Sequence, residues 1–188
     1  MRWTLPNILS VLRLAAAPLF PLVYFLWDSP VADWVALVLF VGASVTDWVD
    51  GYVARRWQLT SRFGAMIDPI ADKAMVLAAL LVVVAKFGMP TWLTLAATVI
   101  VFREVFVSGL REFLGAQAGR LKVTKLAKWK TTVQMIAISV LIAHGILPHA
   151  AIEGLGTALL LAAAALTLIT GADYFAKSWP YLRDEKAR

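Results

Sequence analysis

The stretch that decides the fold runs from residue 47 to residue 72, DWVDGYVARRWQLTSRFGAMIDPIAD. It holds four aspartates, Asp47, Asp50, Asp68 and Asp72, and long apolar runs flank it, about 31–54 before and about 68–87 after. Each run is long enough to cross the hydrocarbon core of a bilayer, which takes about 20 residues of helix. Two spans joined by a short polar link are antiparallel neighbours, so all four carboxylates come to one face of the membrane at one depth. An ionised carboxylate at membrane depth costs roughly 2.5–3.5 kcal/mol on insertion scales unless it is paired or solvated. Four of them within 26 residues need a common explanation.

The rest of the chain agrees with a membrane setting. Of 188 residues, 61% are hydrophobic and 16% charged, and mean hydropathy is +0.75. This excludes a water-soluble enzyme of this size and equally a disordered chain, which lacks apolar residues. Six apolar segments can be marked, at about 6–27, 31–54, 68–87, 91–114, 126–146 and 150–176, broken by turn residues such as Asp28-Ser29-Pro30, Gly88-Met89-Pro90 and Pro148-His149. Arg13 interrupts the first run and no clean small-x-small cleavage site follows, so this segment reads as a span rather than a secretory leader. With the N-terminus in the cytoplasm, 17 of the 18 lysines and arginines fall at cytoplasmic ends or loops and only Lys86 falls outside. The positive-inside rule thus predicts an all-α membrane protein: one domain over 1–188, a six-transmembrane-helix bundle with both termini cytoplasmic. There is no cysteine, so disulfides, zinc thiolates and thiol nucleophiles are excluded. The net charge of +6 and pI near 9.8 point to anionic lipid head groups or a phosphorylated substrate, not to nucleic acid.

Spacing assigns the aspartates a chemistry. Asp47 and Asp50 are i,i+3 and Asp68 and Asp72 are i,i+4, so each pair shares one helix face. Four crowded carboxylates repel and take up protons unless a cation neutralises them. With no Cys or His nearby the donors are all oxygen, which selects a hard cation: Mg²⁺, with Mn²⁺ or Ca²⁺ as alternatives. Their charge suffices for two divalent ions, the arrangement that stabilises attacking and leaving oxygens in phosphoryl transfer. Gly51 and Ala54 leave room beside the first pair, Gly64 does so beyond the loop, and Arg55 offers a fork for phosphate oxygens. A solvated rim pairing the aspartates with Arg55, Arg56, Arg62 and Lys73 is the bland alternative, but a rim requires neither helical spacing nor glycines.

Written in order, Asp47-x2-Asp50-Gly51-x2-Ala54-Arg55-x8-Gly64-x3-Asp68-x3-Asp72 resembles the signature of the CDP-alcohol phosphotransferases at all eight positions. The resemblance implies six transmembrane helices, a site facing the cytoplasm, and transfer of a substituted phosphate from a CDP-linked donor to an alcohol with release of CMP. It implies that Asp47, Asp50 and Asp68 ligate a dimetal centre of Mg²⁺ or Mn²⁺, with Asp72 touching one metal and acting as general base on the acceptor hydroxyl. Gly51, Ala54, Arg55 and Gly64 would accommodate the CDP moiety. In the family a start such as Thr4-Leu5-Pro6-Asn7 contributes to the CDP-binding mouth, so Thr4 and Asn7 are candidates there, against an ordinary helix cap. Family members are often homodimers.

The acceptor is read from the later segments. Arg103 and Arg111 are eight residues apart on one face, and Lys130 opens the fifth span with Lys125 and Lys128. Guanidinium groups facing a cavity in a bundle suit an anionic acceptor such as a phosphate monoester; pairing with Glu104 and Glu112 is the alternative. Residues 103–112, 128–135 and the start Pro6-Asn7-Ile8-Leu9 resemble the phosphatidylglycerophosphate synthase branch of the family. That implies CDP-diacylglycerol and sn-glycerol 3-phosphate as substrates, with Arg103, Arg111 and Lys130 holding the glycerol phosphate, in a multi-pass protein of the membrane, the inner membrane if the source is bacterial. Inositol phosphate, serine or phosphatidylglycerol are the alternative acceptors. Outside the family stand a Mg²⁺-dependent intramembrane prenyltransferase, which typically has two separated aspartate motifs, and a divalent-cation transporter, which has no use for Arg55 or the Arg103–Arg111 face. A lipid donor cannot leave the bilayer cheaply, so an opening between helices is expected beside the aspartates.

Overall fold

The computed structural model describes residues 5–57, 61–115 and 125–183. They form α1 (Leu5–Leu19), α2 (Val23–Leu26), α3 (Val31–Trp57), α4 (Arg62–Lys86), α5 (Thr91–Leu114), α6 (Lys125–His144) and α7 (Ala150–Leu182). No strand occurs among the described residues. Thr4 and the side chains of Asp50, Gly51, Ala54 and Arg55 lie outside the described residues.

Most expected segments correspond to one helix, with three differences. The first, expected as one run over 6–27, is broken into α1 and α2. Pro21 has no amide hydrogen and its ring collides with the preceding turn; around it Leu22 N–H reaches back only to Leu19 at 3.0 Å and Val23 N–H to Phe20 at 3.3 Å. The third starts at Arg62, six residues before the apolar pattern begins, because Ser61 caps it by accepting from Gly64 N–H at 2.9 Å. The sixth continues to Leu182 instead of ending near 176. Between α3 and α4 only residues 58–61 intervene, which makes those helices antiparallel. Gly88 (φ +71°) and Met89 (φ +57°) turn the chain between α4 and α5.

The packing is that of a bundle. α6 lies along α7, α1 along α4, and α7 also packs on α5. Gly156 permits a close approach of α7 to α6, since a Cβ there would stand 2.7 Å from Leu141 Cδ2. Phe20 and Phe40 meet edge to face at 6.2 Å in the main core, with Leu80, Ile100, Ile138 and Leu141 fully buried around them.

Polarity is distributed in the reverse of a water-soluble protein. Phe25, Phe113, Leu81 and Phe102 are 83%, 75%, 69% and 68% exposed, while Asn7, Ser10, Arg13, Asp33, Lys130, Gln134 and Thr167 are buried. Hydrocarbon around the bundle accounts for both observations. Among the described residues two helices, Thr91–Leu114 and Ala150–Leu182, are each long and apolar enough to cross a membrane. The chain is a membrane protein.

At the end of α3 away from the aspartate motif, Asp33 is fully buried and accepts from Lys86 Nζ and, at 3.0 Å, from the Tyr24 hydroxyl. A buried carboxylate that loses its only cation is strongly destabilising, by about 3–5 kcal/mol. Lys86→Met is therefore expected to lower the unfolding temperature in detergent markedly, and Asp33→Asn in the same chain to restore most of the loss. Unfolding of the single variant at the wild-type temperature would show that this pair carries no such burden.

Candidate active site

One face of α1 carries Asn7, Ser10 and Arg13 at three-residue spacing, all buried. Against it lies the face of α4 that carries Gly64, Asp68 and Asp72, spaced by four. The Ser10 hydroxyl donates to Asp68 Oδ1. Arg13 Nη1 donates to Asp72 Oδ1 on α4 and to Asp47 Oδ1 on α3. One guanidinium nitrogen thus ties three helices, and the Asp47 and Asp72 oxygens can be no further apart than two hydrogen bonds laid end to end. A fully ionised arginine is the residue suited to this burial, because it cannot shed its proton.

Gly64 is required by the same face. Ser61 Oγ donates to Asn7 Oδ1 at 2.9 Å, and a Cβ on Gly64 would stand 2.7 Å from that oxygen. Asn7, expected at a nucleotide mouth or as a cap, is inside α1 with its carbonyl oxygen turned to Ser61.

Three of the four aspartates are accordingly at one end of α1, α3 and α4, but their described partners are Arg13 and Ser10. Among the described residues no three carboxylates, imidazoles or thiols close into a ready-made metal cage; Asp50 is beyond that description. The donor chemistry still fits a hard divalent cation. The donors are carboxylate oxygens only, and two of them already converge on a single positive charge.

Asp72 also lines a cavity of about 320 Å³. All three cations expected to hold an acceptor phosphate, Arg103, Arg111 and Lys130, line the same cavity. Arg103 donates to Glu104 Oε1 at 3.1 Å, and Lys130 on α6 donates to that same oxygen. α5 and α6 barely touch elsewhere, so Glu104 acts as a strut across the cavity wall and compensates two cations that would otherwise repel. α7 forms the remaining wall. A Cβ on Gly171 would stand 3.0 Å from Arg103 Cγ, and the Arg111 guanidinium lies 5.4 Å from the centre of the Tyr174 ring, within cation–π range.

Residues 3–169 match the family model described as CDP-alcohol phosphatidyltransferase. The chain belongs to this family. It is 51% identical to a CDP-diacylglycerol–glycerol-3-phosphate 3-phosphatidyltransferase of Cereibacter sphaeroides, over 99% of this chain and 100% of that protein. Proteins of the same name from Pectobacterium atrosepticum and Pseudomonas fluorescens are 42% and 40% identical, over 89% and 96% of this chain and 90% and 93% of theirs.

Sequence reasoning overlooked several residues of this phosphatidyltransferase site. Arg13 counted only as a charge against a leader and toward topology, and Ser10 not at all. The available signal was their three-residue spacing with Asn7 in an apolar run. Thr170, Asp173 and Tyr174 also line the cavity, and nothing in their local sequence distinguishes them from ordinary helix residues.

Gly64→Ala is expected to push Asn7 away and loosen α1 from α4, lowering stability by about 1–3 kcal/mol, the usual cost of overpacking. Asn7→Ala combined with Gly64→Ala is expected to cost less than the two changes summed, as read from thermal unfolding of all four proteins. Strict additivity would mean that the two residues do not meet.

Proposed function

We propose that the chain transfers the phosphatidyl group of CDP-diacylglycerol to sn-glycerol 3-phosphate, giving phosphatidylglycerol phosphate and CMP. The observation that carries this reading is the shared cavity: Asp72 of the family's signature lines it together with Arg103, Arg111 and Lys130. With Lys73, four cations line this small cavity; they suit a phosphate monoester, and serine has no phosphate for them to hold. The high identity to proteins named for this reaction points the same way.

The residues then divide the work. Arg103, Arg111 and Lys130 bind the acceptor phosphate by charge-assisted hydrogen bonds and turn the glycerol toward Asp72. The Asp72 carboxylate takes the proton of the attacking hydroxyl. That oxygen bonds to the phosphorus bearing diacylglycerol, the bond from this phosphorus to the bridging oxygen breaks, and CMP departs with the electron pair. Asp47, Asp50, Asp68 and Asp72 would hold two divalent ions, Mg²⁺ or Mn²⁺, which when bound neutralise the diphosphate. Arg13 keeps Asp47 and Asp72 in register for that task. Gly51, Ala54, Arg55 and Gly64, with Thr4 and Asn7 at the N-terminal start, would accommodate the CDP moiety.

In this reading residues 1–188 are a single domain with six membrane crossings and both termini cytoplasmic. α1 with α2 makes the first crossing, and α3 to α7 make one each. At 1.5 Å per residue the 20-residue α6 matches a hydrocarbon core of about 30 Å, and the longer helices reach beyond it to carry the charged ends. Glu104 beside Arg103, and Asp72 itself, fall at the cytoplasmic side with the lysine-rich start of α6.

The test is CMP release by purified protein in detergent with CDP-diacylglycerol, Mg²⁺ and one candidate acceptor at a time. Release is expected with glycerol 3-phosphate and to cease with EDTA; release only with inositol phosphate, serine or phosphatidylglycerol would overturn the acceptor. Asp68→Asn and Asp72→Asn are expected to abolish turnover while the protein still inserts, and full activity in either would reject the metal-site assignment. Arg103→Ala and Arg111→Ala are expected to raise KM for glycerol 3-phosphate by about tenfold or more, the cost of losing one charge-assisted hydrogen bond, with KM for the lipid donor unchanged.

A further inference from the structure

Pro69, Asp72, Lys73 and Val76 are the residues of α4 that line the cavity. Their offsets of three, four and seven from Pro69 describe a single helical stripe, so Lys73 stands on the cavity side of α4 beside Asp72 and not on the outer rim of the bundle. Lys73 is part-buried. Among the described residues its ammonium has no hydrogen bond and no ion pair, with the aspartates of the signature or with any other carboxylate.

The other charges in this wall are already engaged. Asp72 is bound by Arg13, Glu104 by Arg103 and Lys130, and Asp173 by Lys177 at 2.6 Å. The Arg111 guanidinium lies against the Tyr174 ring. Each carboxylate that lines the cavity therefore has its cation from elsewhere in the wall or beyond it, and none is left for Lys73. Lys73 is close enough to Glu104 and Lys130 to act on both electrostatically, yet Glu104 spends its hydrogen-bonding oxygen on the other two cations.

An ammonium turned toward the interior of a membrane bundle is costly without a counter-charge. Lysine brings three donors on a flexible stem and no acceptor, so the group that completes it is an anion with several acceptor oxygens. A phosphate monoester is such an anion. Held by Lys73 as well as by the cations of α5 and α6, the phosphate is gripped from three helices, and one of the grips is the neighbour in sequence of the carboxylate that takes the proton of the attacking hydroxyl.

We propose that Lys73 is a further acceptor-binding residue, which donates to the phosphate monoester and ties the acceptor to the helix that carries Asp72. This rests on the acceptor reading above. The diphosphate of the lipid donor offers the same oxygen chemistry, so the two substrates have to be varied separately.

The experiment measures CMP release by the purified protein in detergent with Mg²⁺, varying glycerol 3-phosphate and CDP-diacylglycerol in turn. In Lys73→Met, KM for glycerol 3-phosphate is expected to rise about tenfold or more, the loss of one charge-assisted hydrogen bond, with KM for CDP-diacylglycerol unchanged and kcat falling by less than KM rises. Inorganic phosphate, added as a competitor of glycerol 3-phosphate, is expected to weaken by a similar factor. Lys73→Arg keeps the charge and is expected to return KM to within about threefold of the wild type. Lys73→Gln is expected to follow the methionine variant and keeps the test open if that variant does not fold. An unchanged KM for glycerol 3-phosphate in both neutral variants would overturn the inference. So would a rise confined to KM for CDP-diacylglycerol, which assigns Lys73 to the donor, or a loss of kcat alone that arginine does not restore, which makes it a structural support of Asp72. Absence of any glycerol 3-phosphate-dependent CMP release from the wild type would instead overturn the acceptor reading itself.

Discussion

Arg13 is the charge on which the arrangement of this bundle turns. Aspartates needed at one end of α3 and α4 cannot be buried in a membrane protein without a positive partner, and the penalty for leaving one unpaired is several kcal/mol. Arg13 reaches Asp47 on α3 and Asp72 on α4 from the inner face of α1, so the helix that supplies the counter-charge also sets the distance between the two that carry the carboxylates. Ser10 and Asn7 extend the same contact by one and two turns, to Asp68 and to the Ser61–Gly64 cap. Gly64 makes the close approach possible. The end of the bundle that carries Asp47, Asp68 and Asp72 is therefore held by polar contacts along α1.

A second polar assembly solves a related problem with opposite sign. Around the cavity the cations are in excess, and Glu104 compensates two of them through one oxygen. Two parts of that arrangement are separable in function. The strut fixes where Lys130 and Arg103 stand without using all their donors, since a lysine has three and an arginine five. What remains is available to a phosphate. Asp72 belongs to both assemblies, bound to Arg13 and lining the cavity.

Much of the site was legible from residue spacing. Two aspartate pairs at helical intervals, separated by a short link, were expected at one end of an antiparallel pair, and the structure has Asp47, Asp68 and Asp72 there. Arg103 and Arg111, eight residues apart, had to share a face, and both line one cavity. Arg13 was legible only as a charge in an apolar run; its partners are 34 and 59 residues away, beyond any local pattern. Helix ends were misjudged where capping or proline chemistry outweighed the apolar pattern: the Ser61 cap lengthened α4, and Pro21 broke the first segment.

Composition and the apolar segments were enough, without coordinates, to establish an all-helical membrane protein. Those properties depend on transfer free energies and on the 3.6-residue helical repeat, and both are written along the chain. Which cation compensates which carboxylate was decided only by the tertiary structure. So was the Glu104 strut between α5 and α6. Such pairings depend on distances between side chains remote in sequence, and on the buried environment that makes a missing partner costly.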